Sequence, residues 1–113
     1  MSDDDAYVLD MLQCARRAAE ALGSQTVEEF LSDWRTQSVA QHQLIILGEA
    51  AKRLSPEFRE RHSQFSWRDI AGRRDVLVHR YSEVDLPEIW RVVAQDLPPL
   101  IRFLESIAPK PQS

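Results

Sequence analysis

The sequence predicts an all-α protein, an antiparallel bundle of about four main helices. Two observations carry this. Large apolar residues recur at three- and four-residue steps along most of the chain, the spacing that gathers them on one helical face. No stretch alternates with a period of two, so no strand is predicted. Long one-sided helices joined by short loops pack back on one another, and 113 residues are enough for a single domain with its own core. That domain is expected over residues 1–108, with a disordered tail over 109–113.

The first helix opens at Ser2, where three aspartates suit the positive end of the helix dipole. Val8, Met11, Leu12, Ala15, Ala19 and Leu22 form its apolar stripe, and Gly23 stops it. Thr26 and Glu29 form a capping box for a short segment with Val27, Phe30 and Leu31 on its apolar face. Asp33 is placed to cap the next helix, which should run to about Leu54. Val39, Leu44, Ile45, Ile46, Leu47, Ala50, Ala51 and Leu54 should be mostly buried there. Gly48 costs that helix about 1 kcal/mol relative to alanine, which points to a neighbouring backbone packed close against it.

Ser55-Pro56-Glu57 reads as an N-cap, a first-turn proline and a first-turn acid, starting a short helix to about Arg61. His62 to Phe65 reads as a polar loop with a solvated His62. Ser66 and Asp69 then open a helix carrying Trp67, Ile70, Ala71, Leu77 and Val78 on one face, ending near Val78 or His79. Asp85 and Glu88 form a further capping box. Leu86, Ile89, Trp90, Val93, Leu97, Leu100, Ile101 and Leu104 face inward along the last helix, and Pro98-Pro99 should kink or break it. Trp34, Trp90 and the doubly apolar 39–54 helix exceed what one small bundle hides, which favours a homodimer.

Composition excludes several functions. A net charge of −4 gives no global field that would draw nucleic acid, so anion binding must come from a local cluster. Arg68, Arg73, Arg74, His79 and Arg80 supply one. The single Cys14 makes no intramolecular disulfide and fits a reducing compartment. No apolar run has the length of a membrane span and the N-terminus is acidic, so a cytoplasmic protein without membrane association is expected. There is no C-x-x-C, H-E-x-x-H or phosphate-cradling glycine loop, so neither a metal nor a nucleotide cofactor is expected.

Arg74 falls on the apolar face of the 67–79 helix, where a guanidinium needs an anion or a wet cleft to offset its desolvation. His79, five residues on, can move protons near neutral pH. A bland alternative stands beside this: a basic helix end complementing its dipole. On an ideal helix positions 74 and 79 diverge. Either the helix unwinds before His79, or a cleft draws on two chains.

The run R-D-V-L-V-H-R-Y at Arg74–Tyr81 contains R-x-x-x-x-H-x-Y and resembles the signature of HEPN-domain ribonucleases of the HepT kind. W-R-D-I-A-G-R-R-D before it, G-E-A-A-K at Gly48–Lys52 and D-L-P-E-I-W at Asp85–Trp90 are similar to that family's usual surroundings. The resemblance implies a HEPN-like helical homodimer with a catalytic cleft between subunits. It further implies metal-independent RNA cleavage, and the role of toxin in a type VII-like toxin–antitoxin pair. Arg74 and His79 would be catalytic, with Arg68, Arg73 and Arg80 supporting RNA binding. Tyr81 would receive AMP from a small nucleotidyltransferase antitoxin, inhibiting the enzyme. Asp75 stands where the family often has asparagine, and could pair with an arginine. The competing expectation is a catalytically silent module that docks a nucleotidyltransferase or nucleotide.

Overall fold

The structure, a computed structural model, describes residues 2–110, the side chain of Tyr81 excepted. Its elements are α1 (Asp3–Leu22), α2 (Val27–Leu31), α3 (Trp34–Lys52), α4 (Pro56–Arg61) and α5 (Trp67–His79). A 3-10 turn (Tyr81–Glu83), α6 (Leu86–Arg91), a π-helical segment (Val92–Asp96) and α7 (Leu97–Ile107) complete the chain. The last three run on as one bent helix, so α1, α3, α5 and this composite are the long elements of an all-α bundle. Among the described residues there is no strand.

Most helix starts are fixed by the expected side chains. Ser2 and Asp5 form a reciprocal capping box, as do Thr26 and Glu29. Asp33 accepts from the backbone N–H of Thr36 at 3.1 Å, its hydroxyl at 2.6 Å and the Gln25 amide at 2.9 Å. Those bonds, the Thr36 hydroxyl first and Gln25 next, lower its carboxyl pKa to about 2. Ser55 caps α4 through Phe58 N–H at 3.1 Å. Asp4 in turn accepts from the Ser55 N–H at 2.9 Å and hydroxyl at 2.6 Å. This joins the start of α1 to the chain just beyond α3, so the two helices run antiparallel.

Two caps depart from expectation. Ser66 precedes α5, but its hydroxyl makes no capping hydrogen bond. Asp85 caps α6 alone at 3.2 Å, because Glu88 turns to the Arg91 guanidinium at 2.6 and 2.9 Å instead of completing the box. A charge-assisted double bond to arginine outcompetes one backbone N–H.

The core joins Met11 and Ala15 of α1, Phe30 of α2, Ala40, Leu47 and Ala51 of α3, and Leu104 of α7, all buried. Ala18 and Cys14 take the interior position expected of Ala19, which is only partly covered. Burial raises the Cys14 thiol pKa above its ordinary value, an inert setting. Leu31, Val39 and Val78, expected on apolar faces, are exposed. Phe30 is the buried residue of the one-turn α2. In α3 the buried side is set by Ala40, Leu44, Leu47 and Ala51, which leaves Val39 outward; in α5, Leu77 takes the interior position beside Val78.

Of the two tryptophans expected to be surplus, Trp34 is 67% exposed with Arg35 stacked on it, but Trp90 is accommodated within the chain. Its indole donates to the Gln25 carbonyl at 2.9 Å, pinning α6 beside the α1–α2 loop. His62 is not a solvated loop residue. It is half-buried, its ring 4.6 Å from Phe58 and 5.1 Å from Phe103, and its carbonyl accepts from the Trp67 indole at 2.9 Å.

Pro98 and Pro99 cannot donate to the carbonyls one turn back. The chain answers with the π winding of Val92–Asp96, closed by Leu97 N–H to the Val92 carbonyl, and restarts as α7 with the prolines in its first turn. The expected break therefore lies just upstream of the prolines. Of the tail, Pro109 and Lys110 have no regular structure and 111–113 lie outside the described residues.

The close approach expected at Gly48 is to α5. A Cβ there would lie 2.5 Å from the Arg74 Cβ and 3.2 Å from the Ile70 carbonyl oxygen. Gly48→Ala should therefore lower stability by about 1–3 kcal/mol by overpacking, despite alanine's better helix propensity; urea denaturation measures this. The Asp33 cap gives an acid signature. Its pKa is lower folded than unfolded, so its contribution is full above about pH 4 and lost as pH falls through about 2. Asp33→Ala should melt earlier than wild type at pH 7, with the gap closing near pH 2.

Candidate active site

Arg74 is drawn to α3 by its own backbone position. Trp67 and Leu77 bury the inner face of α5, and Gly48 lets the helix settle on α3 with the Arg74 Cβ at the point of contact. The Arg74 side chain is left 23% exposed, too covered to be solvated on every side. Two carboxylates meet it. Its buried Nε lies against Oε1 of Glu49 on α3, and Nη1 donates to Oδ1 of Asp75 at 2.9 Å. The Asp75 bond, with Glu49 adding and desolvation opposing, pushes the Arg74 pKa above its ordinary value. The same bond holds the Asp75 carboxyl below its usual range; Lys52, Arg74 and His79 reinforce that by charge, while desolvation opposes.

His79 is the last residue of α5 and is exposed. The helix is regular through both signature residues, so it does not unwind before His79. Five residues of α-helix turn the side-chain direction by about 140°, and the two groups leave the axis on different sides. Within one chain, Asp75 lies electrostatically between them. Arg80 ends the helix with its N–H on the Val76 carbonyl at 2.9 Å and an exposed side chain. Arg68 is exposed and Arg73 half-buried. Tyr81 begins the 3-10 turn directly after α5, and its side chain lies outside the described residues.

A cleft of about 690 Å³ is lined by α5 and by residues 83–89 that follow it. Arg68 and Arg73 line it with Lys52 and Arg59, but so do Asp69, Asp75, Glu83, Asp85 and Glu88. Neither Arg74 nor His79 is in its wall. Asp75, Val76 and Leu77, between the two signature residues, line it. The chemistry is better sought at the pair than in this void: it has no excess of positive charge with which to hold a phosphate chain. Among the described residues, no three His, Cys, Asp or Glu side chains converge as a metal-ligand set. Among the described residues, no helix is long and apolar enough to cross a membrane.

Glu49 is the residue that sequence reasoning missed. It is the acid of the G-E-A-A-K run, but nothing in a linear pattern says which acid of one helix will meet an arginine of another. The Asp75–Arg74 pair, by contrast, is a neighbour contact and was open to view.

The family described as Ribonuclease HepT-like matches residues 11–107 of this chain. A protein of Caldanaerobacter subterraneus subsp. tengcongensis, provisionally named RNase TTE0752, is 35% identical over 104 residues, covering 92% of this chain and 93% of its own. "Probable ribonuclease HepT" of Thermococcus cleftensis is 34% identical over 94 residues, covering 83% and 86%. No solved structure matches the chain.

One consequence of the geometry can be checked without any catalytic assay. Asp75→Asn removes one of the two negative charges on Arg74, so single-stranded RNA should bind about two- to fivefold more tightly at low salt, an advantage that fades as salt rises. Fluorescence anisotropy across a salt series measures it, and equal affinity at low salt would show that Asp75 does not oppose anions here.

Proposed function

The chain belongs to the HepT-like ribonuclease family, and from that premise we propose that it is a metal-independent endoribonuclease whose catalytic groups are Arg74 and His79. The observation that carries this reading is the pairing itself. One face of α5 holds a guanidinium preset by carboxylates, and the end of the same helix presents an exposed imidazole. Cleavage would proceed by attack of a ribose 2′-OH on the adjacent phosphate. The new P–O bond gives a 2′,3′-cyclic phosphate, and the P–O5′ bond breaks. His79 is suited to proton transfer on this path, taking the 2′-OH proton or supplying one to the departing 5′-oxygen. Arg74 is suited to the non-bridging oxygens, where negative charge grows as the phosphorane forms.

Because the two side chains diverge on one regular helix, the working site would join Arg74 of one chain with His79 of another in a homodimer. The exposed Val39, Val76 and Val78 on α3 and α5 are apolar surface available for that contact. Arg68, Arg73 and Arg80 would steer the RNA backbone. The chain would act as the toxin of a type VII-like pair in the cytoplasm. AMPylation of Tyr81 by a nucleotidyltransferase would add a phosphodiester on the residue two positions beyond His79, competing with RNA for the anion site. A second reading draws on the same ion pairs: with Glu49 and Asp75 both on Arg74, the chain would be a silent module that docks its nucleotidyltransferase or a nucleotide.

Purified protein should cleave RNA in EDTA and leave 2′,3′-cyclic phosphate ends, and His79→Ala should slow this by about 10²- to 10⁴-fold. The shared site has its own test. Arg74→Ala and His79→Ala chains, each inactive alone, should recover cleavage when mixed and allowed to exchange subunits, since one site of the mixed dimer would be whole. No recovery in a mixture shown to contain mixed dimers would return both groups to one chain. Absence of cleavage by wild type, together with tight nucleotidyltransferase binding, would favour the silent module.

A further inference from the structure

We infer that Glu49 is a positioning residue for Arg74: from the facing helix it fixes the Nε edge of the guanidinium, so that the opposite edge is presented to a phosphate. The inference rests on the ribonuclease reading above. Gly48 and Glu49 are consecutive on α3 and act on the same partner. Gly48 admits the Arg74 backbone, and Glu49 takes the first nitrogen of the group that backbone carries. Asp75 takes Nη1 at 2.9 Å from within α5. An arginine side chain has several soft torsions, and a guanidinium with the Glu49 carboxylate in ion contact against Nε and Asp75 hydrogen-bonded to Nη1 is restricted in both swing and roll. Among the described residues Nη2 has no polar partner, whereas Nε, which makes no hydrogen bond, has the Glu49 carboxylate against it.

A purely stabilising ion pair is the competing account, and exposure argues against it. The Glu49 side chain is 34% exposed, and pairs this open to water contribute little to folding. What the pair does supply is orientation, and misplacing a catalytic group by about 1 Å can cost about 10²-fold in rate. Glu49 also has an opposite effect, since its charge opposes the anion that Arg74 must receive. The two effects separate by substitution. Alanine removes both, whereas glutamine keeps an oxygen that can accept from Nε and removes only the charge.

The test is steady-state cleavage of a labelled single-stranded RNA by the full chain, with thermal melting to follow the fold. Glu49→Ala should lower kcat by about 10- to 100-fold with KM no higher than wild type and the melting temperature little changed. Glu49→Gln should keep kcat within about threefold of wild type, with an equal or lower KM. A Glu49→Ala chain with wild-type kcat, a loss confined to KM, or a glutamine variant as slow as alanine would each overturn the inference. Arg74→Ala in the same assay separates the two levels: if it still cleaves, the assignment of Arg74 falls and takes Glu49 with it.

Discussion

The contact on which the rest of the molecule turns is the one between Gly48 and Arg74. Helix axes normally stand 8–10 Å apart because side chains fill the space between them. A missing Cβ on α3 lets the Cβ and backbone of α5 come into that space. Everything chemically notable follows from this approach. It sets the depth of Arg74, which in turn requires ion pairing, and the nearest acid on the facing helix is the residue after the glycine. A single small residue thereby couples the packing of two long helices to the orientation of one cation.

The fold was legible because it is built from local rules. Apolar spacing identified α1 and α3, and side-chain caps at Ser2, Thr26, Asp33 and Ser55 placed helix starts with their hydrogen bonds. What was not legible depended on a competitor the pattern does not name. Glu88 could serve a backbone N–H or Arg91, and the guanidinium won. His62 sits in a polar stretch, yet Phe58 and Phe103, one near and one distant in sequence, enclose it. Leu31, Val39 and Val78 are apolar but stand where no other element of the chain covers them fully.

The candidate site divides along the same line. The signature and the misfit of Arg74 on an apolar face could be read directly, as could the pairing of Asp75 with an arginine, though not which arginine. The angular divergence of Arg74 and His79 followed from helix geometry, and the unbroken course of α5 removes local unwinding as its remedy. Glu49 could not be read, since it depends on how α3 and α5 meet. The cleft beside α5 is no better guide, because its arginines are offset by carboxylates.

An acidic protein that handles a polyanion has to solve an electrostatic problem locally. Here the apparent contradiction is that the proposed phosphate-binding arginine already carries two anions. The contradiction weakens once orientation and affinity are treated separately. An unpaired Arg74 would bear the cost of partial burial and could turn toward any nearby carbonyl or carboxylate. Two partners at fixed edges offset that cost and leave the guanidinium in one pose, at the expense of some attraction for the incoming phosphate. The pairing opposes the phosphorane, with its greater charge, at least as much as it opposes the bound diester, so its gain must come from orientation. It also makes the site easy to silence, since one further anion beside Arg74 would meet two already in place.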